Sequence, residues 1–145
     1  MVFDGKFFNE IEVGDKFGNS LTVTDTHIML GCGMFGDFNP LHCDDEFCKD
    51  GLFGERVLHG PLTSALMSAS IGIYFSGSAL AYLEHNCTFH SPVRAGDTLK
   101  TTWEIVSMKL SKHAESGVVT LQGACLNQAR QEVVARASGK IMVKI

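Results

Sequence analysis

Gly60-Pro61-Leu62-Thr63-Ser64-Ala65-Leu66-Met67-Ser68-Ala69-Ser70-Ile71-Gly72-Ile73-Tyr74-Phe75 is the stretch on which the reading of this chain turns. Pro61 suits the first helical position, where a missing N–H costs nothing. From Leu62 to Phe75 no side chain carries a charge, and a helix without a charged face is expected to be enclosed by protein. Its many Ser, Ala and Gly residues let neighbouring backbone approach closely. The stretch is interrupted by small and polar residues and lacks the sustained hydrophobicity of a membrane span.

Downstream the pattern changes to strands. Residues 79–89, 98–106, 118–126 and 132–145 read as extended segments, the second with partial alternation of apolar and polar residues. Pro92-Val93-Arg94-Ala95-Gly96-Asp97 is a turn, and the last two strands join around Asn127-Gln128-Ala129-Arg130. Short connections between successive strands favour antiparallel pairing. Upstream, residues 11–15 look extended and end in a Gly-Asp turn, and the β-branched residues 21–24 form a short strand. Asp25 can cap a helix that stops at Gly31-Cys32-Gly33, Asn39-Pro40 marks a turn, and Asp44 to Lys49 reads as a short helix with acids first. A sheet wrapped around one uncharged helix is the simplest architecture that buries it, so the pattern predicts an α+β fold with an antiparallel sheet. No repeat or Pro/Ser-rich linker divides residues 1–145, which read as one domain.

Composition bounds the function. Hydrophobic residues make up 45% and charged residues 19% of the 145-residue chain, ordinary for a globular protein. A net charge of −4 with scattered Lys and Arg argues against nucleic acid or an anionic membrane as partner. Met1-Val2-Phe3-Asp4-Gly5 lacks the basic and apolar regions of a secretory signal. The five cysteines, Cys32, Cys43, Cys48, Cys87 and Cys125, include no Cys-x-x-Cys pair and read as reduced thiols, as in the cytoplasm. A metal site built on His42, Cys43, Asp44 and Cys48 fits no zinc spacing, so no metal is expected.

Two polar clusters could carry chemistry. Gly36-Asp37-Phe38-Asn39-Pro40-Leu41-His42 places an Asp and a His, common acid–base groups near neutrality, on either side of an Asn-Pro turn. By spacing alone the plainer reading is stronger: Asp37 caps a turn and His42 is an ordinary loop histidine. His59-Gly60-Pro61 opens the uncharged helix, whose N-terminus offers unpaired N–H groups to a developing oxyanion. Pro61 has no N–H, which leaves Gly60 as the donor at the mouth. His27, His85, His90 and His113 show no pairing and read as half-buried structural residues; Glu84 and Asn86 are candidates to line a substrate tunnel.

Together the clusters resemble the MaoC-like (R)-specific enoyl-CoA hydratases, with their Gly-Asp-x-Asn-Pro-aliphatic-His signature and a later His-Gly opening the central helix. Phe89-His90-Ser91-Pro92-Val93-Arg94-Ala95-Gly96-Asp97 is similar to that family's Phe-x-x-Pro-Val-x-x-Gly-Asp turn, and the likeness runs from about Ile11 to the end. The resemblance implies a hotdog fold, an antiparallel sheet around a long central helix. It implies a hydro-lyase that reversibly hydrates a 2-enoyl thioester to a 3-hydroxyacyl thioester. Asp37 and His42 would be the catalytic pair, Gly60 N–H the oxyanion donor, Asn39 the holder of the loop, and Ser68 a serine beside the pair, with Ser64 and Ser70 as competitors. Pro61 departs from the larger apolar residue usual there. The implied substrate is an acyl-CoA or acyl-carrier thioester with no further cofactor, and the implied assembly at least a homodimer. A hotdog thioesterase, which would want a carboxylate on the helix, and a non-catalytic acyl-thioester-binding subunit are the competing readings.

Overall fold

The computed structural model describes residues 4–112 and 115–145; Met1, Val2, Phe3 and His113, which the sequence reading touches, lie outside them. Five strands make one antiparallel sheet: β1 (Lys16–Thr22), β2 (Ala79–Phe89), β3 (Thr98–Leu110), β4 (Ser116–Asn127) and β5 (Glu132–Lys144), in the order β1-β3-β4-β5-β2. Among the described residues four α-helices accompany it, α1 (Asp25–Phe35), α2 (Pro40–Cys43), α3 (Asp45–Lys49) and α4 (Gly60–Tyr74), with one 3-10 turn at Phe8–Glu10. This is the α+β hotdog architecture, with α4 as the long helix against the sheet. No helix among the described residues is long and apolar enough to cross a membrane.

The pairing explains why β3 and β4 exceed their sequence-predicted limits. β3 continues past Val106 to Leu110 because a register shift between Ile105 and Ser107, a bulge, re-aims the side chains without ending the ladder. Residues 11–15 are not a strand. Asp15 accepts from Glu12 N–H and folds the segment into a turn that hydrogen-bonds to Ile105.

α4 packs on the sheet through Met67, Ile71 and the cap residue Phe75, all buried. Trp103 is fully buried beneath the helix and donates its indole N–H to Met67 O at 2.9 Å. Ile105, Val119, Leu121, Ile141 and Val143 complete this core, and each fully buried side chain of that size contributes about 1.5–3 kcal/mol. The expected enclosure of α4 holds for one face only. Pro61, Ala65, Ala69, Gly72 and Ile73 are exposed, Ile73 by 69%. The sheet of one chain covers only one side of the helix, and β2, at the sheet's edge beside it, has a free margin.

α1 also differs from expectation. Its N-cap is Thr24, paired with His27 in a reciprocal cap, and Asp25 is the first helical residue. The helix passes through Gly31-Cys32-Gly33 and ends at Gly36, whose φ of 69° is left-handed. The glycine inside the helix has a packing reason: a Cβ on Gly31 would lie 2.7 Å from His59 Nδ1.

Candidate active site

The loop between α1 and α2 is shaped by its own short polar side chains. Asp37 Oδ1 accepts from Asn39 N–H at 3.2 Å, and Asn39 Oδ1 accepts from Leu41 N–H at 3.1 Å. The second bond caps α2, with Pro40 in its first turn, the arrangement that preset φ and a side-chain acceptor favour. Asp37 therefore does cap a turn, as the plainer reading holds, but with one oxygen only. Its other oxygen, Oδ2, lies 3.8 Å from His42 Nε2.

His42 is oriented from behind. Its Nδ1 is 2.7 Å from Val57 O; a carbonyl can only accept, so Nδ1 carries the proton. In the neutral ring Nε2 then presents its lone pair towards Asp37. The side chain of His42 is 12% exposed and that of Asp37 51%, so the pair opens to solvent on the Asp37 side. At 3.8 Å the two atoms are too far apart for a direct hydrogen bond, while a water about 2.8 Å from each would close the triangle.

His59 joins the two halves, a role that spacing in the sequence does not assign. It is 1% exposed, its ring stacks on His42 with centroids 3.7 Å apart, and its Nε2 donates to the main-chain oxygen of Asp37 at 3.1 Å. Nδ1 faces Gly31 and has no hydrogen-bond partner among the described residues. Cross-links between loops bring His59 here: Val57 N–H donates to Leu41 O, and Leu58 N–H to Val93 O at 2.7 Å. The second link comes from the Pro92–Asp97 turn, itself closed by Arg94 N–H on Asp97 Oδ2. Arg56, just before, pairs with Asp25 at 2.7 Å and Asp45 at 2.6 Å and so ties α1 to α3.

His59 is also the N-cap of α4, though its side chain makes no capping bond. Leu62 N–H and Thr63 N–H both turn back to His59 O at 3.0 Å, and Pro61 has none to offer. The donor of the first turn left without an acceptor inside the helix is Gly60. Phe89, at the end of β2, covers the space beside it, 3.3 Å from where a Gly60 Cβ would sit.

The donor atoms of Asp37, His42 and His59 lie within 4.8 Å of one another, close enough to consider a metal. The histidine rings, however, are stacked face to face, and His59 Nε2 is already committed to a carbonyl, so the nitrogens do not converge on one point. The Cys43 thiol points to Phe38 O and Asn39 O, the Cys48 thiol to Pro40 O and Leu41 O, and Asp44 caps α3.

Asp37 and His42 thus both touch His59, which precedes Gly60 at the N-terminus of α4, while Asn39 braces the loop between them. Ser68 lies two turns further along; its Oγ donates to Ala65 O, and the residue borders a cavity of about 260 Å³. Of its competitors, Ser70 is buried and bonded to Met67 O, while Ser64 hydrogen-bonds His85. Glu84 and Asn86 face away from α4: Glu84 pairs with Lys140, which holds its carboxyl below the usual range, and Asn86 lines a groove with Lys16 and Arg136. The alternation of β2 instead turns His85 and Phe89 towards the helix.

Residues 7–124 match the model of the MaoC like domain. The chain belongs to the MaoC-like domain family. This MaoC-like chain is 27% identical over 137 residues to an (R)-specific enoyl-CoA hydratase of Rhodospirillum rubrum, a match covering 94% of this chain and 91% of the relative. It is 26% identical to a mitochondrial 3-hydroxyacyl-[acyl-carrier-protein] dehydratase of Arabidopsis thaliana, over 86% of this chain and 72% of that protein. Among solved structures, the R-hydratase PhaJ1 from Pseudomonas aeruginosa superposes with a TM-score of 0.83 at 31% identity, covering 95% of this chain and 85% of the other.

Proposed function

We propose that this MaoC-like chain is a hydro-lyase that adds water reversibly across the 2,3 double bond of an enoyl thioester, with Asp37 and His42 as its acid–base pair. The observation that carries the reading is the 3.8 Å gap between Asp37 Oδ2 and His42 Nε2, whose lone pair is fixed by the Nδ1 bond to Val57 O. A water seated in the gap loses a proton to the pair as its oxygen bonds to the β-carbon. The pair returns a proton to the α-carbon, so one O–H bond and the 2,3 π bond break while one C–O and one C–H bond form. Charge gathering on the thioester oxygen is met by Gly60 N–H, a preorganised donor at the helix mouth. Asn39 holds the loop, and Ser68 lines the cavity for the acyl chain. The named activities of the relatives support this chemistry, with CoA or an acyl carrier delivering the thioester and no cofactor beyond its pantetheine arm. α4 holds no Asp or Glu, which counts against a helix carboxylate attacking the thioester carbonyl through water.

The free cysteines agree with a reducing, cytoplasmic setting. The free margin of β2, with Leu80 and Leu83 exposed by 44% and 49%, and the open face of α4 fit a homodimer in which a second copy extends the sheet; light scattering giving the monomer mass would refute it.

The experiment follows loss of the conjugated enoyl-thioester absorbance with crotonyl-CoA for wild type, Asp37→Asn and His42→Ala, with free thiol monitored in parallel. Band loss without thiol release, reduced about a hundredfold or more in each variant, is expected. Thiol release would assign a thioesterase instead.

A further inference from the structure

His42 and His59 are stacked face to face, with ring centroids 3.7 Å apart and planes 24° from parallel. Their nitrogens are partnered unequally. His42 has an acceptor in front of each: Val57 O at Nδ1, and the Asp37 carboxylate 3.8 Å from Nε2. His59 has one, Asp37 O at Nε2, and its buried Nδ1 has none among the described residues. The Gly31 main chain lies against that nitrogen, so close that a Cβ there would be 2.7 Å away, and Phe35 meets the ring edge-on from another side.

An imidazolium has two N–H groups to satisfy, and a buried charge without its partners is costly. Only His42 meets that requirement. His59 therefore keeps a single proton, on Nε2, and turns an uncharged ring face to His42. A π face attracts a cation lying over it, whereas two neutral rings stacked face to face gain little. The stack thus favours the protonated form of His42, the form it takes when it accepts the proton of the water in the gap.

We infer that His59 is a positioning residue with two separable parts, an N–H that fixes Asp37 and a neutral ring that strengthens His42 as proton acceptor, an inference that rests on the hydratase reading. Of the other groups near the stack, Asp37 is the carboxylate that faces His42. Burial pushes the Cys32 thiol of α1 and the Cys48 thiol of α3 up, so both are uncharged at neutral pH, and Cys43 of α2 is turned to Phe38 O. Asp25 and Asp45 are both paired with Arg56, Asp44 caps α3, Arg94 is paired with Glu55, and His90 at the end of β2 is turned to Thr88. α4 carries no charge.

The test separates the two parts. His59→Gln can still donate to Asp37 O but offers no ring; His59→Phe offers a ring but no donor. kcat/KM for crotonyl-CoA is measured between about pH 5 and 9 for wild type and both variants, together with thermal melting. Activity falls on the acid side as the base becomes protonated, so loss of the ring should move that limb to lower pH. In His59→Gln the limb is expected about half a pH unit below that of wild type. In His59→Phe it should stay at the wild-type position or above, while kcat falls. His59→Leu, which lacks both parts, replaces His59→Gln if that variant fails to fold. A residue that only packs would change melting or kcat and leave the limb in place. Coincident limbs in wild type and His59→Gln, or equal displacement in His59→Gln and His59→Phe, therefore overturn the inference. If wild type hydrates nothing, the hydratase reading falls, and NMR titration of the His42 ring in the same proteins decides the role of the His59 ring by the same order.

Discussion

The first two turns of α4 are organised by different kinds of partner. At the N-terminal end the side chains are held by main-chain atoms: His42 by Val57 O, His59 by Asp37 O, and Asp37 by Asn39 N–H. One turn further along, side chains hold each other, as in the bridge from Ser64 through His85 to Tyr82. A main-chain partner is present whatever the residue there, so the chemical end is fixed by the fold. A side-chain partner disappears with one substitution, so the bridge can be retuned without disturbing the sheet.

The sharpest way to break this comparison is at His59, which touches both members of the proposed acid–base pair. His59→Leu keeps bulk but removes the donor to Asp37 O, an exchange costing about 1 kcal/mol in stability. The effect on rate is expected to be larger, a fall of about tenfold to a hundredfold in kcat with crotonyl-CoA, because a misplaced pair loses its geometry with the water. His59→Gln can still reach Asp37 O but cannot stack on His42, and should recover some of the loss. Steady-state kinetics with thermal melting separates the cases. A change in KM alone, or equal kcat for Leu and Gln, would reduce His59 to a packing residue.

Much of this was legible beforehand. The uncharged run after Gly60-Pro61, the four strands behind it and the turn from Asp37 to His42 are local patterns; the structure shows the helix, the four strands with longer β3 and β4, and Asp37 within 3.8 Å of His42. What was not legible depends on residues distant in sequence. His59 gains its position from Val57 and Leu58 bonding to Leu41 and Val93, and no spacing rule reports a ring stacked on another loop's histidine. Gly31 looked like a helix stop because its reason for being glycine lies elsewhere in the chain: the His59 ring would sit 2.7 Å from any Cβ at that position. The period of β2 was readable, but a register shift between Tyr82 and Glu84 decides which residues face α4, and so the tunnel candidates Glu84 and Asn86 gave way to His85. The open face of α4 was hidden for another reason: absence of charge says that a helix is to be covered, not that the cover comes from the same chain.

The smallest effect is expected at Ser68, and it sharpens the comparison from the other side. Family resemblance puts this serine beside the acid–base pair, whereas here it lies about 12 Å along the helix axis from Gly60, eight residues at roughly 1.5 Å each, with its hydroxyl turned to Ala65 O. Ser68→Ala removes a hydroxyl that bonds only its own helix, and alanine is the better helix former by about 0.5 kcal/mol. The melting temperature should hold or rise slightly, and kcat with crotonyl-CoA should stay within about threefold of wild type, since the hydroxyl lost is turned to its own helix and away from the proposed pair. A hundredfold loss of kcat in Ser68→Ala alone would mean that Ser68 acts on the reacting atoms, and that both parts of α4 form one site.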